Sequence, residues 1–336
     1  MTRKVIALGV TALVIVALWS AAWFYGAGEI KRQIGLLAAA DGETAPQVTC
    51  SPVSVSGFPF RFDIECSTAT VLDMDRTVTI AGLKASILVY NPTHVIFSAK
   101  GPALFENALT GSESRLDFTG FEGSARVITA DIFKGLTGLG WRIGRVSMVA
   151  DGVEWNETVI DDILQAKLGH AEAHLMDMAE AHEASNGTAS LALYVTASGV
   201  TVPAADVTDG ETSLEAELSG LPDDLMAFTD PMVVRAWVNR QGSLKLVRLS
   251  GSQPTPDESF EVTGEARLNA SGMLNGSISY RTKGVLDRFA ALLGPVQLAA
   301  VKGQPEADGS FSNALTIDGG EVKLGGVSLG FIAPAF

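Results

Sequence analysis

From Val5 to Tyr25 the chain carries no ionisable side chain before the closing tyrosine, a run of about 21 residues that can cross a ~30 Å hydrocarbon layer as one helix. A cleavable signal peptide has an apolar core of roughly 7–15 residues ending in a small-x-small site. Ser20-Ala21-Ala22 is the only neighbourhood of that kind. The core here is longer and finishes in Trp19, Trp23, Phe24 and Tyr25, side chains that settle at the water boundary of a bilayer. The pattern therefore favours an uncleaved signal anchor over residues 1–27, with Arg3 and Lys4 retained on the cytoplasmic side. Lys31-Arg32, beyond the span, pull weakly the other way.

Residues 28–46 read as a juxtamembrane helix and linker, in which Ile30, Ile34 and Leu37 form an apolar stripe and Asp41-Gly42 is the stop. From Val48 the apolar period falls to two. Val53 and Val55, then Phe60, Phe62 and Ile64, then Val78 and Ile80, then Leu83, Ala85, Ile87 and Val89 alternate as half-buried antiparallel strands do. Asn91-Pro92-Thr93 reads as a turn, and His94–Ala99 as the returning strand. In the middle, Leu116–Val127, Ile143–Trp155 and Leu191–Val202 alternate as strands, while Ile132–Leu139 and Val159–Leu168 have the look of short helices.

Three pairs of strands follow, each around a glycine turn. Met232–Asn239 and Leu244–Leu249 bracket Arg240-Gln241-Gly242; Phe260–Ala270 and Leu274–Tyr280 bracket Ser271-Gly272; Ser310–Ile317 and Glu321–Leu324 bracket Asp318-Gly319-Gly320. Val285–Val301 has helical spacing. There is no βαβ alternation and no long parallel-type apolar run. The expected fold is mainly β with a few helices: a large curved antiparallel sheet, a meander of hairpins with one or more packing helices, making an extracytoplasmic domain over residues 47–336.

Cys50 and Cys66 are the only cysteines, and their midpoint falls in Gly57-Phe58-Pro59. With that triplet as a three-residue hairpin loop, Ser56 faces Phe60, Val53 faces Asp63 and Cys50 faces Cys66, within reach of a disulfide that an oxidising compartment preserves. No CxxC spacing accompanies them, which removes a zinc or thioredoxin-like reading.

Charge narrows the partners. Of 24 basic and 38 acidic groups, residues 1–40 hold four and one, so the remainder carries 20 and 37, a formal charge of −17. Such a surface repels phosphate backbones and anionic head groups and argues against nucleic acid as a partner; its simplest role is solubility. The candidates for chemistry are few. His170, Glu172 and His174 share a face on a strand, and the two histidines share one on a helix; with His182-Glu183 they offer metal-ligand chemistry, against the plainer reading of an exposed polar face beside Leu168 and Leu175. Asp161-Asp162 and Asp223-Asp224 read as solvated pairs. Gly138-Leu139-Gly140 with Gly144 lacks the spacing of a dinucleotide loop, and Asn156-Glu-Thr158, Asn186-Gly-Thr188 and Asn275-Gly-Ser277 fit a glycosylation pattern short enough to arise by chance. No catalytic, cofactor or metal residue is assigned.

Ser56-Gly-Phe-Pro-Phe-Arg-Phe-Asp63, Tyr90-Asn-Pro-Thr-His-Val-Ile96 and Ile317-Asp-Gly-Gly-Glu-Val-Lys-Leu-Gly-Gly-Val-Ser-Leu-Gly-Phe-Ile-Ala-Pro334 together resemble the DUF2125 family of uncharacterised proteobacterial envelope proteins. The Gly57-Phe58-Pro59-Phe60-Arg61 hairpin and the glycine-punctuated last strands also look like those of AsmA-type periplasmic proteins, which implies lipid handling between membranes. Physically the hairpin needs no ligand: Gly57 permits the turn, Pro59 stiffens it, and Phe58 and Phe60 cap the apolar edge of the sheet. The expectation is a non-enzymatic protein of the inner membrane, its β domain in the periplasm, holding lipid in an apolar concavity. The alternative is an assembly factor that binds envelope proteins through sheet edges.

Overall fold

The computed structural model describes residues 2–129, 140–183, 186–230, 232–289 and 295–336. The apolar N-terminal pattern becomes a single helix, α1 (Thr2–Ala38), with a mean hydropathy of 2.4 over its most apolar window. Its first half is exposed, and the helix is long and apolar enough to cross a membrane. Its second half buries Trp23 and Ala27 and half-buries Ile30, Ile34 and Ala38, a stripe at helical spacing; Leu37, expected in that stripe, is exposed. The stop is Asp41, whose carboxylate accepts the N–H groups of Glu43, Thr44 and Ala45 and the hydroxyl of Thr44. Those four donors hold its pKa down at about 2.

Beyond the helix the protein is mainly β, its strands joined in one large antiparallel sheet. The strands are β1 (Gln47–Cys50), β2 (Val53–Ser56), β3 (Arg61–Cys66), β4 (Ala69–Asp73), β5 (Arg76–Leu88), β6 (Asn91–Asn107), β7 (Ser112–Asp117), β8 (Gly120–Thr129), β9 (Trp141–Glu157) and β10 (Ile163–Asp177). After them come β11 (Thr188–Val202), β12 (Val207–Pro222), the short helix α2 (Val233–Asn239), β13 (Ser243–Gln253), β14 (Glu258–Leu268) and β15 (Leu274–Lys283). The chain ends with α3 (Pro295–Lys302), β16 (Gln304–Pro305), β17 (Phe311–Asp318), β18 (Glu321–Leu324) and β19 (Val327–Phe331). Two compact units divide the chain: Met1–Ser124 with Gly152–Gln165, and Ala125–Asp151 with Ala166–Phe336.

In the first unit the long β5 is the spine. One edge pairs with β4 along Arg76–Ile80 and with β3 along Leu83–Leu88, and the other edge pairs with β6. β1 adds to β4, β2 to β3 and β7 to β6, and α1 packs on β1 and β2. Here the expected first hairpin is corrected. Val53 pairs with Cys66 and Ser56 with Asp63, a register three residues from the one expected, so the connecting loop runs over 57–62 as seen from β2, with Arg61 and Phe62 already paired to β5. Cys50 lies on a separate strand opposite Ala69. The disulfide nonetheless forms, Cys50 and Cys66 having Cα atoms 5.2 Å apart.

The second unit is a plain meander. β10 to β15 pair in chain order, each with the next; β15 pairs with β17, and β17, β18 and β19 follow in order. The Gly319-Gly320 turn sits between Asp318 and Glu321 with both φ angles positive, where glycine meets no steric penalty.

Several expected elements are overturned. Val159–Leu168 is turn and then strand, because β10 takes Lys167 to Asp177 into the ladder with β11. Met232–Asn239 folds as α2 rather than a strand, anchored by the Trp237 indole, which donates to the Ser219 carbonyl at 2.7 Å and lies over Gly242, where no Cβ would fit. Val285–Val301 divides into a 3₁₀ turn over Val285–Phe289 and α3. The β5–β6 turn is Val89-Tyr90; Pro92 follows inside a register shift of β6, where its missing N–H costs no ladder bond. The expected helix Ile132–Leu139 lies outside the described residues.

Candidate functional site

The loop between β2 and β3 is shaped by α1. Gly57 turns the chain at φ +98°, and the Arg61 N–H donates back to the Gly57 carbonyl at 3.1 Å. The Trp19 indole N–H donates to the Pro59 carbonyl and the Trp23 indole N–H to the Arg61 carbonyl, both at 3.0 Å. Trp23 stacks on Phe62 with ring centres 5.3 Å apart and meets Phe58 edge-on at 5.5 Å, while Phe58 also stacks on Phe24. This explains the register shift: two carbonyls that a tight hairpin would leave to water are claimed by tryptophans, and Phe62 is drawn onto the helix. Of the predicted motif, Gly57, Phe58, Pro59 and Arg61 all join this clasp, and Phe60 remains exposed beside it. Trp19 and Trp23, read from sequence as bilayer aromatics, are the missed partners; their indole N–H groups, which seek acceptors wherever they are buried, were the available signal.

The histidines of β10 behave as a strand predicts. The His170 ring nitrogens lie 2.6 Å from the accepting Asp151 carboxylate and 3.0 Å from that of Glu172, whose other oxygen is 3.3 Å from His174, and His174 is 3.0 Å from the Ser147 hydroxyl. The Asp151 carboxylate, then Glu172, raises the His170 pKa above its ordinary value of 6.5, and the two histidines lower that of Glu172. Among the described residues no group of three or more His, Cys, Asp or Glu is placed to hold a metal ion. His182 belongs elsewhere, contacting Arg142 at 2.8 Å and Asp223 at 3.3 Å; Arg142 also pairs with the buried Asp177 at 3.4 Å. Asp162 pairs with Arg115 at 3.0 Å, and Asp224 accepts the Gly140 and Met226 N–H groups. Gly138 and Leu139 lie outside the described residues.

The second unit has two unlike faces. Ladder register places Glu172, Thr196, Ser213, Ser250, Glu261, Arg281 and Ser312 in one row across seven strands, all on one face. That face carries an open depression of about 560 Å³ lined chiefly by hydroxyls and charges, with Arg248 paired to Glu261 at 2.8 Å and Arg281 to Asp308 at 2.9 Å. The opposite face holds the row Ala173, Val195, Leu214, Leu249, Val262 and Tyr280, and beside it Leu175, Leu193, Ala216, Leu246, Gly264, Ile278, Leu315 and Leu324. Of these only Ala216 and Leu324 are buried; the others are half-buried, and no side chain among the described residues of the protein is fully buried. A sheet face sealed by a second layer would bury such residues almost completely.

No curated protein and no solved structure matches the chain. One family model does, described as an uncharacterized protein conserved in bacteria (DUF2125), over residues 23–333, from the tryptophan of the clasp almost to the C-terminus. With that match spanning clasp, disulfide and both β units, the chain belongs to the DUF2125 family.

Proposed function

We propose that this protein is a non-enzymatic component of the bacterial envelope, held in the inner membrane by α1 with its disulfide-bearing β units in the periplasm, and that the apolar face of the second unit takes up lipid acyl chains. The observation that carries the lipid reading is the incomplete burial of that face. Two aligned rows, mostly of Val, Leu and Ile, lie across it, and among the described residues no covering layer buries them fully. An apolar ligand would recover about 25 cal/mol for each Å² it covers. The anchor supports the reading by tethering the chain to a bilayer, and the Cys50–Cys66 bond fits an oxidising compartment. The weaker resemblance to AsmA-type proteins points the same way.

The test is photo-crosslinking of the full-length chain in native membranes with a phospholipid bearing a diazirine on one acyl chain. Labelled peptides should map to Leu193–Val195, Leu214 and Val262. Val195→Glu should cut labelling at least fivefold, while Thr196→Glu, next to it on the polar face, leaves it intact. Labelling that is absent, or equal on both faces, would refute the proposal.

A second reading, partner binding by strand addition, has its own support: β19 pairs only with β18 among the described strands, and its Val327 and Phe331 are exposed. Crosslinked envelope proteins at β19, in the absence of lipid labelling, would favour it.

A further inference from the structure

We infer that the first unit is seated on the outer surface of the bilayer that α1 crosses, by an aromatic platform made of the 57–62 segment and the Val89-Tyr90 turn. This rests on the anchor reading above. The direction of docking is set by the contacts along α1: Trp19 meets Pro59, Trp23 meets Phe58, Arg61 and Phe62, and Ala38 meets Gln47. The loop tip therefore points toward the N-terminal, lipid-exposed half of the helix.

Depth follows from helix geometry. At 1.5 Å per residue, a ~30 Å layer that begins at Val5 ends near Tyr25, and even the shortest span of about 17 residues ends at Ala21. Trp19 precedes both limits, so Pro59, hydrogen-bonded to its indole at 3.0 Å, lies at the bilayer boundary or beneath it. The side chains around Pro59 suit that depth. Phe58 is 48% exposed, Phe60 62% and Tyr90 74%. The Val89 N–H donates to the Phe60 carbonyl at 3.0 Å, which sets the second turn beside the first. Phe24 and Tyr25 continue the exposed aromatic set on the helix itself. Exposed to water these rings are unfavourable, whereas at the headgroup level of a bilayer aromatic side chains are favoured. The occupant of this surface is thus the phospholipid headgroup and glycerol layer around α1, continuous with the lipid that the helix already meets.

Nitroxide accessibility on the full-length chain tests this, in nanodiscs of palmitoyl-oleoyl phosphatidylethanolamine and phosphatidylglycerol. Cys50 and Cys66 are bonded to each other, so only an introduced thiol reacts. Labels would be placed by Phe60→Cys and Tyr90→Cys at exposed positions, with Val10→Cys in the span and Thr316→Cys on an exposed position of the second unit as references. At 60 and 90 the ratio of oxygen to nickel-chelate collisions should exceed that at 316 at least threefold and fall below that at 10. If either position matches 316 while 10 reads as deep, the seat is wrong and the anchor stands. If 10 itself reads as aqueous, the anchor reading fails and the seat with it.

Discussion

Trp23→Ala should unlatch the 57–62 loop from α1 without unfolding the rest of the first unit. Trp23 is 6% exposed and makes two cross-element ring contacts, to Phe58 and Phe62, besides its hydrogen bond to the Arg61 carbonyl. Each aromatic pair is worth ~0.5–1.5 kcal/mol beyond its burial, and the hydrogen bond ~1 kcal/mol net, more when the carbonyl is left without a partner. A Trp→Ala change in an aqueous core costs ~3–5 kcal/mol. Here an unlatched Trp23 would rest against lipid rather than water, so its burial counts for less. The expected loss is ~2–4 kcal/mol, or roughly 30- to 900-fold in the local opening equilibrium at 1.36 kcal/mol per decade.

Hydrogen exchange of the full-length protein in micelles reads that equilibrium at the Arg61 N–H, bonded to Gly57, and the Val89 N–H, bonded to Phe60. The Val195 and Leu214 amides in the second unit serve as internal references. Trp23→Phe keeps a ring and loses only the donor, so it should speed exchange at Arg61 and Val89 by roughly 5- to 30-fold, about 1–2 kcal/mol. Exchange within threefold of wild type at both amides in Trp23→Ala would show that the helix does not hold the loop.

Three further outcomes are expected. NMR titration should place the His170 midpoint above 6.5, and Asp151→Asn, which removes the first cause of the shift, should lower it; a wild-type midpoint at or below 6.5 contradicts the pairing. Because the folded pKa is the raised one, this pair's contribution to stability is complete below pH ~6.5 and disappears as pH rises through the folded value. Cys50→Ser with Cys66→Ser removes a crosslink over 16 residues of sequence and should lower the stability of the first unit by ~3 kcal/mol in denaturant titrations; an unchanged midpoint would show the bond to be dispensable. Arg142→Met should destabilise the second unit by ~3–5 kcal/mol, because it strands the buried Asp177 carboxylate, and Arg142→Met with Asp177→Leu should recover most of the loss.

How much of this was legible depended on the range of the interaction. The long apolar N-terminal helix, most of the alternating strands and the glycine turns at Gly272 and Gly319-Gly320 are local patterns, and they fold as read. Met232–Asn239 alternates well enough to pass for a strand, but the Trp237 bond to Ser219, 18 residues away, holds it as a helix. The register of the first hairpin was read from loop length alone. It ignored a partner 38 residues upstream, and Trp23 took the Arg61 carbonyl that the short loop assumed free. The cysteine pairing came out right through a wrong register, because β1 and β4 bring Cys50 back to Cys66 by a second route.

The candidate lipid face shows the same limit in a form that bears on function. Alternation tells which residues share a face, and it placed Val195, Leu249 and Val262 on strands; Leu214, which joins them into one row, lies on β12, a strand the sequence reading did not pick out. It is silent on what lies over that face, since a covered row and an open row have the same period. The structure adds that, among the described residues, the helices α2 and α3, of seven and eight residues, are too short to roof a ladder of nine strands, and its apolar rows stay incompletely buried. An apolar face that persists in that state, on a chain that also carries a helix long and apolar enough to cross a membrane, is better matched to an apolar ligand than to water. That match is what the crosslinking of Val195 and its neighbours measures.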